Sequence, residues 1–121
     1  MIAGSALLAG FQALLLQWNM LAPLPYKTAP QITPEMNSFV HREAIGRKCP
    51  LPQIDTMVVD VAILVDQSGG IRTAVPRAIG CTTVEQYAAA LVAGFARNNL
   101  LPRTGTHEQW YRTTLTFTWR T

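Results

Sequence analysis

Residues 56–99 read TMVVDVAILVDQSGGIRTAVPRAIGCTTVEQYAAALVAGFARNN, and the fold is decided there. The first part alternates with period two. Val59, Val61, Ile63 and Val65 share one face, and Asp60, Ala62 and Leu64 share the other, as a strand requires. QSGG supplies a turn, and IRTAVPRAIG returns as a second strand. Pro76 lacks an N–H, so it assigns the later half of that strand to an edge or a bulge. The period then changes. Val84, Tyr87, Ala88, Leu91, Val92 and Phe95 form an apolar stripe at helical spacing, and Thr82 to Glu85 reads as a capping box. Asn98 and Asn99 end the helix ahead of Pro102.

Outward from this stretch, the chain closes on WYRTTLTFTWRT, residues 110–121. Tyr111, Leu115, Phe117 and Trp119 alternate with polar residues, which predicts a terminal strand packing its bulky face on the long helix. Upstream, Thr33 is placed as N-cap and Pro34 at the first position of a short helix. That helix carries Met36, Phe39, Val40 and Ala44 on one side, with Gly46 as its stop. Pro23, Pro25, Pro30 and Pro34 make the preceding segment an extended linker. The order predicts an α+β fold: a small ββαβ domain in which one long helix lies over a three-stranded antiparallel sheet. A hydrophobic N-terminal helix precedes it. The expected divisions are 1–22, hydrophobic helix; 23–54, proline-rich linker with a short helix; and 55–121, the ββαβ domain.

The chain has 121 residues, 49% hydrophobic and 14% charged, with a net charge of +3. That length holds one domain with one core. The basic residues are scattered from Lys27 to Arg120 without interleaved aromatics, which does not fit a nucleic-acid interface. Much of the apolar excess lies in MIAGSALLAGFQALLLQWNMLAPLP at the start. Two readings of this segment stand side by side. As a membrane anchor it is short but sufficient, with Trp18 at the interface. Ser5, Ala6, Ala9, Gly10 and Ala13 would then present a smooth stripe for packing against another membrane helix. As a cleaved export signal it would be cut near Ala22.

Cys49 and Cys81 are the two cysteines. In a cytosolic protein they would be free thiols; the export features favour a disulfide between them. Neither cysteine has the close spacing to His41 or His107 that a zinc site needs. His41 sits beside Arg42 and Glu43 as a solvated helix residue, and Ser68 lies in a turn with no elbow motif around it. Asp60 and Asp66 are separated by roughly 20 Å along one strand, too far for a paired-carboxylate mechanism. The sequence offers no catalytic residue, no metal site, no cofactor and no small-molecule substrate.

The residues carrying these elements resemble a known family. VDVAILVDQSGGI, a second strand, Cys81 just before VEQYAAALV, and a last strand ending TLTFTW are similar to the TonB C-terminal domain family. The likeness extends to short exported or membrane-anchored relatives labelled energy transducer TonB. It covers roughly residues 55–121 and is carried chiefly by the hairpin of Asp66, Ser68, Gly69, Gly70 and Ile71. The resemblance implies a periplasmic bacterial domain tethered to the inner membrane, which captures a protein partner by strand addition at its sheet edge. On this chain the implied edge is the terminal strand, with Arg112, Thr114, Thr116, Thr118 and Arg120 facing the partner. In two respects the chain departs from force-transmitting members: its apolar segment contains no histidine, and its linker is short. The leading expectation is a non-enzymatic interaction module, with membrane proteins as the implied partners. An accessory subunit of a larger inner-membrane assembly (transporter, motor or photosynthetic core) is the second, and a secreted small enzyme or inhibitor the third.

Overall fold

The computed structural model describes residues 17–103 and 107–120. Two helices and four strands follow in the order β1 (Ala22–Pro23), α1 (Pro34–Gly46), β2 (Thr56–Val65), β3 (Ile71–Pro76), α2 (Thr82–Ala96) and β4 (Gln109–Thr118). The sheet order is β1-β4-β2-β3. β2 is antiparallel to both β3 and β4, pairing Val59 with Leu115 and Ile63 with Ala74, while β1 runs parallel to β4.

This corrects the expected architecture in two ways. The sheet is four-stranded and mixed rather than three-stranded and antiparallel. The added strand is the proline-rich segment itself: Ala22 pairs with Tyr111 and Pro23 with Arg112, and Leu24 N donates to the Arg112 carbonyl at 2.9 Å. Prolines hold that segment extended, a conformation suited to edge pairing. Residues 25–28 stay docked as well, through Leu101 N to Pro25 O at 2.8 Å and Lys27 N to Asn99 O at 2.8 Å. The stretch read as a linker is therefore part of the domain.

The second correction concerns the N-terminal helix. Trp18–Met20 form a single 3₁₀ turn and the chain is extended from Ala22, so the apolar helix does not continue through Trp18 to Leu21. Trp18 is instead buried against Ala62 on the back of the sheet, flanked by Leu21, Val75 and Trp110. Among the described residues no helix is long and apolar enough to cross a membrane. Ser5, Ala6, Ala9, Gly10 and Ala13 lie outside the described residues.

The core lies between the sheet and both helices. Met57, Val59, Val61, Ile63 and Val65 of β2 meet Tyr111, Leu115 and Phe117 of β4, and all pack under Val40 and Ala44 of α1 and Val84, Ala88 and Val92 of α2. The alternation of β2 and β4 and the stripe of α2 thus bury the faces their sequence periods select. Phe39, Tyr87 and Phe117 link the layers, with ring centroids 4.4 Å and 6.3 Å apart along that chain. Trp119, at the end of the same face, stacks on His41 of α1 at 4.8 Å, so His41 is half-buried against a ring rather than solvated.

The helix ends follow local chemistry. Thr33 Oγ1 accepts from Met36 N at 3.2 Å, which caps α1, and Pro34 opens it as expected. In α2 the cap differs from the sequence reading. Cys81 is the N-cap and makes no side-chain capping bond; Glu85 reaches back to accept from Ile79 N at 2.9 Å and Cys81 N at 3.0 Å. The helix stops where Asn98 takes a positive φ of 54°, and the Asn99 amide donates to the Phe95 carbonyl at 3.0 Å. Cys49 and Cys81 form a disulfide across a sequence separation of 32, tying the loop after α1 to the start of α2.

Candidate docking edges

A sheet edge offers a partner its unpaired N–H and C=O groups. On β4, Arg112 O accepts from Leu24 N and Thr118 N donates to Asn37 Oδ1 at 3.0 Å. Both groups point away from β2, so by strand alternation the even-numbered residues from Arg112 to Thr118 form the outer edge. β1 closes one end of this edge and Asn37 of α1 closes the other. Thr114 and Thr116 lie between them.

The polar face of β4 holds four of the five residues predicted to meet a partner, Arg120 lying just past its end, and the structure gives them different tasks. Arg112 Nη1 donates to the Trp18 carbonyl at 3.2 Å. Thr114 Oγ1 donates to Asp60 Oδ1 at 2.6 Å, and Asp60 pairs with Arg77 at 3.4 Å. The Arg77 guanidinium in turn lies 5.6 Å from the Trp18 ring centroid. Arg112 and Thr114 thus belong to a latch on the chain's own N-terminal segment. Thr116, Thr118 and Arg120 are exposed.

The opposite edge is β3. Arg77 N donates to the Asp60 carbonyl at 2.8 Å, and Val75 and Thr73 face Ala62 and Leu64 across the ladder. Alternation turns the N–H and C=O of Ala74 outward, and the C=O of Pro76 with them. Pro76 is tolerated because the N–H it lacks would have pointed away from the sheet. Beside this edge runs a hollow of about 330 Å³ between β3 and the C-terminal half of α2, walled by Gly70, Arg72, Ala74, Ala93 and Arg97. Sequence reasoning missed this groove; the one signal for it was Pro76, which marks β3 as an edge strand.

The turn between β2 and β3 is fixed by Asp66. Its Oδ1 accepts from Ser68 Oγ at 2.7 Å, Ser68 N at 2.9 Å and Gly70 N at 2.7 Å. The Ser68 hydroxyl first, then the Gly70 N–H and more weakly Arg72, hold the Asp66 carboxyl below the usual carboxylate range. Gly70 is required here, since a Cβ would meet Asp66 Oδ2 at 2.7 Å. These bonds close the turn between β2 and β3 around the Asp66 carboxylate. Among the described residues no three His, Cys, Asp or Glu side chains come together as a metal site.

No protein-family model, curated protein or solved structure matches the chain. The geometry of these edges and the sequence motifs are what bear on function.

Proposed function

We propose that the chain is a non-catalytic interaction module that takes an extended segment of a partner protein onto its sheet by strand addition. The observation that carries this reading is the β3 edge, which turns backbone groups of Ala74 and Pro76 outward and at Ala74 borders a groove open along α2. Strand addition needs such a ladder for affinity and flanking pockets for selectivity. The resemblance of residues 55–121 to the TonB C-terminal domain supports the same mode of capture. β4 is the weaker docking edge, because β1 and Asn37 occupy its two ends.

We place the module in an oxidising compartment, the bacterial periplasm, with the apolar N-terminus as tether. The Cys49–Cys81 disulfide supports this placement, since such bonds persist where thiols are not kept reduced. The test is site-specific photo-crosslinking in membrane preparations of the source cells. A photoreactive residue at Thr73, on β3, is expected to yield an adduct with a partner, while one at Glu35 on α1 yields none. Ala74→Pro, which replaces the outward N–H with a ring methylene and so blocks the edge, should abolish the Thr73 adduct. Equal adducts at both positions, or an adduct indifferent to Ala74→Pro, would sink the reading.

A further inference from the structure

The groove beside β3 is built around two arginines. Arg72 and Arg97 line the same hollow, both are exposed, and neither forms an ion pair among the described residues, where the salt bridges are Arg47–Glu43 and Arg77–Asp60. The Asp66 carboxylate lies close enough to Arg72 to feel its charge, and its Oδ2 faces Gly70 at the mouth of the hollow. Asp66, His107 and Glu108 share a second hollow with it, and Asp66 Oδ1 is already taken by Ser68 and Gly70. Toward the end of α2 the same surface continues past Asn98 to Lys27 and Arg103. Arg103 is engaged with Tyr111 Oη at 3.4 Å and with the Asp66 carbonyl, which leaves Lys27 as a third cation along the path.

We infer that this groove takes an extended acidic peptide segment, paired with β3 through Ala74 and read by Arg72 and Arg97 through its carboxylates. The inference rests on the strand-addition reading above and adds the chemistry of the partner. Side chains of an added strand alternate between the two sheet faces, so every second one points toward α2. There Ala93 leaves room, and Arg97 one helical turn further on supplies the charge. Guanidinium groups suit carboxylates because they donate two parallel N–H bonds. The net charge of +3 favours an acidic partner in the same sense. A lipid headgroup would meet the arginines but leave the outward N–H and C=O of Ala74 unpaired. The ladder therefore favours a peptide over an anionic membrane.

The experiment titrates the full-length ¹⁵N-labelled chain in neutral detergent micelles with a short N-acetylated, C-amidated peptide of alternating valine and glutamate. Its glutamine counterpart and an N-methylated version, which cannot pair along one edge, serve as controls. The glutamate peptide should shift the amides of β3 and of the last turn of α2. The glutamine peptide should bind at the same amides but roughly two- to fivefold more weakly for each carboxylate–guanidinium pair that it cannot form. Arg97→Glu should weaken the glutamate peptide to a similar extent, and both Ala74→Pro and peptide N-methylation should abolish binding. Equal affinity of the glutamate and glutamine peptides at β3 would overturn the acidic selectivity while leaving strand addition standing. Binding that survives both Ala74→Pro and N-methylation would overturn both. Shifts centred on Thr114 and Thr116 would move the site to β4 and refute the groove. Anionic phosphatidylglycerol vesicles that bind wild type and Ala74→Pro alike, with no peptide response, would assign the arginines to lipid instead.

Discussion

Reducing the Cys49–Cys81 disulfide should cost the domain a large fraction of its stability, and the size of the loss follows from where the bond lies. It closes a loop with a sequence separation of 32 that contains the whole β2–β3 hairpin. Closing a loop of that length in the unfolded chain corresponds to about 3–4 kcal/mol in the chain-entropy account. The native groups at the two ends are otherwise well satisfied. Cys49 N donates to Ala44 O at 2.9 Å, and Cys81 N is held by Glu85. Reduction therefore releases the unfolded state more than it disrupts the folded one. For a domain near this size each kcal/mol shifts the midpoint by about 4–5 °C, so Tm should fall by roughly 15 °C. Circular-dichroism melts with and without a phosphine reductant measure this directly. Urea titrations should show a lower midpoint together with a larger m-value, because the uncrosslinked chain unfolds to a more exposed ensemble. A Tm loss below about 5 °C would refute the account. The tie would then be holding a loop already restricted by other contacts. Retention of full stability in reductant would also remove the reason for placing the protein in an oxidising compartment.

Two further outcomes test the back of the sheet and the hairpin turn. Trp18→Ala removes a ring that is 2% exposed, yet Trp18 Nε1 is buried without a hydrogen-bond partner among the described residues. Burying a tryptophan is worth about 3–5 kcal/mol and an unsatisfied donor costs about 1–3, so a net loss near 2 kcal/mol is expected from urea denaturation. A loss under about 0.5 kcal/mol would mean that the segment is only loosely docked. The Asp66 carboxyl, followed by ¹³C NMR through acid, should titrate below the ordinary aspartate range. Because its folded pKa is depressed, its contribution to stability is present above the unfolded value and is lost as pH falls through the folded one. Asp66→Asn should flatten that acid limb, and a midpoint at or above the ordinary value would refute the hydrogen-bond assignment.

What could be read from the sequence and what could not divide along one physical line. β2, β4 and α2 were legible because each buries a face, and burial imposes a period of two or 3.6 over many residues. Val59 to Val65, Leu115 with Phe117, and Val84 to Val92 all carry that imprint. The cap at Thr33 and the stop at Asn98 were legible because they are local chemistry, settled within a few residues. β1 has two residues and no period to display, so nothing in Ala22–Pro23 announces a strand. Its partner lies some ninety positions away, as does the carbonyl of Trp18 that Arg112 holds across a separation of 94. Edge occupancy is a property of the assembled sheet, and for that reason the terminal strand read as the free edge. β1 is itself an added strand: a proline-rich segment laid along β4, satisfied by Leu24 N, and latched by Trp18, Arg77 and Arg112. The molecule thus already performs on one edge, with its own chain, the kind of pairing proposed for the other. The β3 edge differs in having no such internal strand among the described residues, and Arg72 and Arg97 stand exposed beside it.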